Sequence, residues 1–168
     1  GRFEKAVINQ TYYSGNINAA AISKSDRRLP AINKSFLDIE SRLLSSKLNA
    51  ENSFAEPENH RSFKEETLLF EVHDASHLLD YTLSGKIILS SQNNIVVGRD
   101  SQCNGSIIEA DTVLVQSGFV GSLQVIAKVI LIEPNVQLNY PSAVVSTDAE
   151  GAIEIKENST IKGIVFSG

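Results

Sequence analysis

Gly105-Ser-Ile-Ile-Glu-Ala-Asp-Thr-Val-Leu-Val115 and Gly121-Ser-Leu-Gln-Val-Ile-Ala-Lys-Val-Ile-Leu-Ile132 are two versions of one pattern. Each opens on Gly-Ser, runs through a short aliphatic strand, crosses one or more small or charged residues and enters a second aliphatic strand. The same pattern recurs on both sides. One register aligns Gly85-Lys-Ile-Ile-Leu, Gly105-Ser-Ile-Ile-Glu, Gly121-Ser-Leu-Gln-Val, Ser142-Ala-Val-Val and Gly163-Ile-Val-Phe, with anchors Ile87, Ile107, Leu123, Val144 and Ile164 spaced 20, 16, 21 and 20. A second register, offset by half a repeat, aligns Ile95, Val113, Ile130 and Ile153 at spacings of 18, 17 and 23. Two interleaved strand series sharing one period describe a coil with at least two strand faces per turn.

A turn of that size cannot bury its own apolar side chains, so it stacks on its neighbours and builds a continuous interior column. Its backbone groups pair with the turns above and below in parallel ladders about 4.8 Å apart. Glycine permits the tight corners, and Asn93-Asn94 and Asn104-Gly105 suit the left-handed backbone that corners require. An antiparallel sandwich with a hairpin at Asn104-Gly105 gives no reason for two registers to keep one period. The reading is mainly β: a single-stranded parallel β-helix over residues 83–168, of four to five rungs, with an N-terminal α/β extension over residues 1–82 that caps it.

That extension differs in composition. Residues 1–84 carry 22 charged residues and residues 85–168 carry 13, while 28 of the later positions are Ile, Val or Leu. Ser35-Phe-Leu-Asp38 has the form of a helix cap, and Phe36, Ile39, Leu43, Leu44 and Leu48 return on one helical face. The spacing predicts an amphipathic helix over 35–48 lying against the solenoid as a cap. Residues 49–66, polar and containing Pro57, read as a loop, and Glu66 to Val72 as a strand leading to the first rung. Gly163-Ile-Val-Phe-Ser-Gly168 reads as a rung without a cap, which implies that the natural chain continues or that a partner covers that end.

The net charge of −5 and scattered Lys and Arg argue against nucleic acid, which needs a basic stripe to displace counterions. The single cysteine, Cys103, excludes an intrachain disulfide and a cysteine zinc cluster. No run of apolar residues is long enough to span a membrane as a helix. The chain begins Gly-Arg-Phe without a Met, which points to an upstream leader or membrane anchor.

Three clusters have the make-up of a site. His73 and His77, with Asp80 three residues on, have the spacing of zinc ligands on a helix; surface histidines at a strand junction account for them better, and no metal is assigned. Asp100, Glu109 and Asp111, with Arg99 nearby, are the close acidic group on the early rungs. On a β-helix such carboxylates can serve a polysaccharide lyase or glycosidase, with calcium as the cofactor of that reading alone; solvated turns explain them as simply. Tyr12, Tyr13, Tyr81 and Tyr140 can stack on sugars but are spread as packing residues are. Cys103 has no histidine near it in sequence. No catalytic residue and no cofactor is assigned.

The stretches Gln10 to Lys34, Ser84-Gly-Lys-Ile-Ile88, Ser117-Gly-Phe-Val-Gly-Ser-Leu-Gln-Val-Ile-Ala127 and Leu138-Asn-Tyr-Pro-Ser-Ala-Val144 resemble a group of uncharacterised bacterial envelope proteins, N-terminally anchored, with a β-helical outer part. More distantly, the glycine-punctuated rungs are similar to bactofilins, polymer-forming β-helical cytoskeletal proteins, from which the long N-terminal half departs. The resemblance implies a periplasmic or extracellular protein of the bacterial cell envelope, held at the membrane only through an upstream anchor. The expectation is a non-enzymatic structural or adhesive solenoid, whose partner is another protein or a second copy at the solenoid end. The alternative is a β-helix that binds or cleaves an acidic glycan.

Overall fold

The computed structural model describes residues 2–3, 7–12, 18–19, 58–72, 76–78, 81–148 and 150–167, and its regular elements there are all strands. Three precede the main body: β1 (Arg2–Phe3), β2 (Val7–Tyr12) and β3 (Asn18–Ala19). Then come β4 (Glu58–Arg61), β5 (Leu68–Val72), β6 (Ser76–Leu78), β7 (Thr82–Gly85), β8 (Ile87–Ser91) and β9 (Asn94–Val97). Longer strands follow: β10 (Gln102–Val115), β11 (Val120–Ile132), β12 (Gln137–Ser146), β13 (Ala152–Ile155) and β14 (Thr160–Ser167). The predicted 35–48 helix lies outside the described residues.

Every strand pair is parallel. The chain is a parallel β-solenoid of about five turns. Three ladders run along it. The first follows β4, β7, β10, β11, β12, β14 and β2; the second joins β5 and β8 to the middle of β10 and onward; the third joins β6, β9, the ends of β10 and β11, β13, β1 and β3. The ladders reach back to Glu58, ahead of the Leu83 start read from sequence. Glu58–Arg61, expected as loop, is a strand because Thr82–Gly85 offers it a backbone partner; pairing of that kind asks little of side chains. Likewise β5 belongs to the coil, pairing with β8, rather than leading into it.

Between the ladders lies a column of buried apolar side chains. Phe70, Leu89, Ile108, Val125, Val144 and Val165 are stacked by the register of the second ladder, and all are buried. In the third, Ile95, Val113, Ile130 and Ile153 stack likewise, the same column as the second sequence register. The first register is displaced by one residue at several turns. Ile107 pairs with Ile88 and Gln124, so Ile87 and Leu123 belong to a neighbouring column. The cause is a set of irregularities between the first two ladders, at Asn104/Ser106, Gly121/Gln124 and Leu138/Ser142, which insert different numbers of residues.

The corner after the third ladder is the most regular. Gly98–Ser101, Gln116–Phe119, Glu133–Val136 and Lys156–Ser159 occupy it in successive turns, and Ser101, Phe119, Val136 and Ser159 point into the core. Gly118, Asn135 and Asn158 take the left-handed backbone there, at φ of 83°, 62° and 59°, a conformation that glycine and asparagine adopt at least cost. The corners stack by hydrogen bonds of their own: Gly118 N–H donates to the Pro134 carbonyl, Asn135 N–H to that of Glu157. Gly105 is left-handed as expected (φ 77°), whereas Asn93 and Asn94 are not among the positive-φ residues.

The C-terminal turn is not bare. Thr160, Ile161 and Lys162 pair with Val7, Ile8 and Asn9, and β13 pairs with β1. The first strands of the chain thus lie on its last ones.

Candidate functional site

The corner between the second and third ladders carries a cleft of about 490 Å³. Its residues arrive in columns one turn apart. Glu71, Ser90, Glu109 and Ile126 are consecutive register partners on the second ladder. Gln92, Asp111, Lys128 and Thr147 come from the corner beside them, and Ala110 and Ala127 line the cleft with short side chains. Asp111 and Lys128, on adjacent turns, form a 2.8 Å ion pair with both side chains about half exposed, and the Asp111 amide donates to the Asn93 carbonyl.

Two of the three acids singled out from sequence, Glu109 and Asp111, line this cleft. Asp100 is placed elsewhere, at the third-ladder corner, exposed and 3.6 Å from the neighbouring Arg99 guanidinium. Glu71 and Lys128 were not singled out, and they enter from other turns. The signal that finds them is the repeat itself. Glu71, Ser90 and Glu109 fall 19 residues apart, and Lys128 follows Asp111 by 17, the spacing from Val113 to Ile130.

Among the described residues no group of three His, Cys, Asp or Glu side chains has metal-binding spacing. His77 lies on β6, while His73 and Asp80 are outside the described residues. Cys103 is buried in the core, and that burial pushes its thiol from about 9.0 up to about 12; a thiol so held is an inert packing group. Of the tyrosines, Tyr81 packs against the core and Tyr140 is 81% exposed. Phe63 is 70% exposed, and its ring lies over Gly105.

The remaining polar groups serve the coil. Ser122 Oγ accepts from the Gly105 amide, and Ser142 Oγ from the Leu123 amide. Ser159 Oγ accepts from the Val136 amide and donates to the Glu133 carbonyl, and Ser146 Oγ donates to the Lys128 carbonyl. Small hydroxyls therefore bridge successive turns where a corner carries the backbone away from its ladder, as buried polar groups require.

These features define a parallel β-solenoid with an acid-lined cleft among its described residues and a coil end already paired to the N-terminal strands. No family model, curated protein or solved structure matches the chain.

Proposed function

We propose that this protein is a non-enzymatic structural or adhesive solenoid of the bacterial cell envelope, acting through protein contacts at its coil end. One observation carries the reading: β14 and β13 accept β2 and β1, strands remote in sequence, by parallel addition. A ladder edge binds through backbone groups, which makes it a general receptor for extended chain. The envelope location rests on the sequence resemblance. Light scattering of the full chain across a wide concentration range tests the contact role. Mass that rises with concentration supports it, and a strict monomer at every concentration removes self-assembly. Protease treatment of intact cells and of spheroplasts tests the location, since a cytoplasmic protein stays protected in both and an envelope protein is cleaved in at least one.

The cleft favours a second reading, binding or cleavage of an acidic glycan. Glu71 and Glu109 stand two ladder steps apart, roughly 9.6 Å between backbones, close to the wide limit of the spacing found between the carboxylates of inverting glycosidases. Lys128 would meet a uronate carboxylate. Under this reading Lys128→Ala and Glu109→Gln each abolish glycan retention in a binding screen, and calcium raises the melting temperature. A screen in which the wild type retains no glycan ends it.

A further inference from the structure

We propose that β1–β3 form an exchangeable terminal rung, and that at high local concentration the rung of one copy docks on β13 and β14 of a second copy. The inference deepens the protein-contact reading and depends on it only for the identity of the partner.

The pairing is that of a missing turn. β14 supplies the first two ladders of the last turn, and β1 sits beside β13, where the third strand of that turn belongs. β2 then lies on β14 and β3 on β1, as the turn after it. The coil thus runs through β14 into β1, β2 and β3 although these come from opposite ends of the sequence.

Residues 20–57 join β3 to β4. The path from β4 to β2 takes six ladder steps, roughly 29 Å at ~4.8 Å each. A connection of that length can span up to about 120 Å at ~3.3 Å per residue. Its contour length therefore suffices for the far end of its own coil and for that of a neighbour. Because docking uses the same backbone ladder in both cases, the choice is set by concentration. Covalent connection holds the rung near its own coil end at an effective concentration of about a millimolar, so the rung closes on its own chain in dilute solution and exchanges between copies when they are crowded. Exchange of an identical element is a low-cost route from monomer to assembly.

The register names the test. Asn9 and Lys162 are partners in the β2–β14 ladder, and facing positions one strand apart lie within disulfide range. Asn9→Cys and Lys162→Cys are placed on two separately tagged full-length chains, and also together on one chain. Cys103, buried, stays out of the chemistry. The double variant is expected to form an intrachain bond in dilute solution. The mixed single variants are expected to form an interchain bond whose yield climbs steeply toward millimolar concentration, while Asn9→Cys mixed with the off-register Lys156→Cys forms none. An intrachain bond with no interchain bond at any concentration overturns exchange. No bond in either arrangement overturns the docking itself. Oligomers seen by light scattering without the Asn9–Lys162 bond overturn the terminal rung as the contact and leave the contact reading standing.

Discussion

A Cβ built on Gly163 would stand 1.8 Å from the Ser142 carbonyl oxygen, an atom fixed in the ladder one turn below. Gly118 has a different reason to be glycine: its φ is 83°, and the nearest atom to an added Cβ is the Arg99 Cδ at 3.0 Å, on an exposed and flexible side chain. Its corner equivalents are Asn135 and Asn158. Gly163→Ala is therefore expected to cost about 2 kcal/mol or more by overpacking, whereas Gly118→Asn stays within ~1 kcal/mol of wild type; urea unfolding of the two variants measures both. Ser106 is buried, and its Oγ has no hydrogen-bond partner. Removing a buried hydroxyl that bonds to nothing relieves desolvation, so Ser106→Ala is expected to leave the melting temperature unchanged or raise it. Cys103 predicts a pH dependence. Its folded pKa lies above the unfolded one, so the neutral thiol's contribution is complete below about pH 9 and is lost as pH climbs toward about 12. The difference in urea midpoint between wild type and Cys103→Ala should be flat below that window and shift against the wild type within it.

At the scale of the strand, β11 contains both a structural and a superficial partnership. Ile130 is enclosed in the column of Ile95, Val113 and Ile153, while Lys128, two residues earlier, is about half exposed and ion-paired with Asp111. Ile130→Ala should cost about 2–5 kcal/mol, the transfer loss plus a cavity the ladder cannot close; Lys128→Ala should cost less than ~1 kcal/mol. Calorimetry of the two variants separates them, and equal costs would mean that the cleft stabilises the coil. The Ile130 column was readable in the sequence because little is inserted between the second and third ladders of the early turns. The first ladder was not, because its segments, such as Val120-Gly121 and Gln137-Leu138, are too short to show a period of two. Polar outward residues and a glycine erase what alternation remains. Gly121 is small for a reason invisible in one dimension: a Cβ there would stand 2.7 Å from the ring of Phe119, which fills the interior at the preceding corner. The cleft was half legible for a similar reason. Glu109 and Asp111 are neighbours in the chain, but Glu71 and Lys128 join them only once the ladder sets the register.

Across the described residues, the main contacts between strands run from one turn to the next. Such a structure is held like a one-dimensional stack, in which a central turn is stabilised from both sides and a terminal one from one side. Hydrogen exchange should follow that order, with the amides of β10, β11 and β12 slowest and those of β4, β5 and β6 faster. The informative strand is β14. It pairs with β12 on one side and β2 on the other, so it should exchange as slowly as an inner strand although it lies near the end of the chain. Consecutive residues of a strand direct their N–H groups to opposite sides, so among Val7→Pro and Ile8→Pro at least one removes a hydrogen bond to β14. That variant should speed exchange across Thr160–Ser167 while leaving β10 and β11 as they were, because the disturbance is separated from them by β12. Protection in β14 that is indifferent to both substitutions would mean that β12 alone holds the last turn, and the N-terminal strands would then be a cover resting on the coil rather than its continuation.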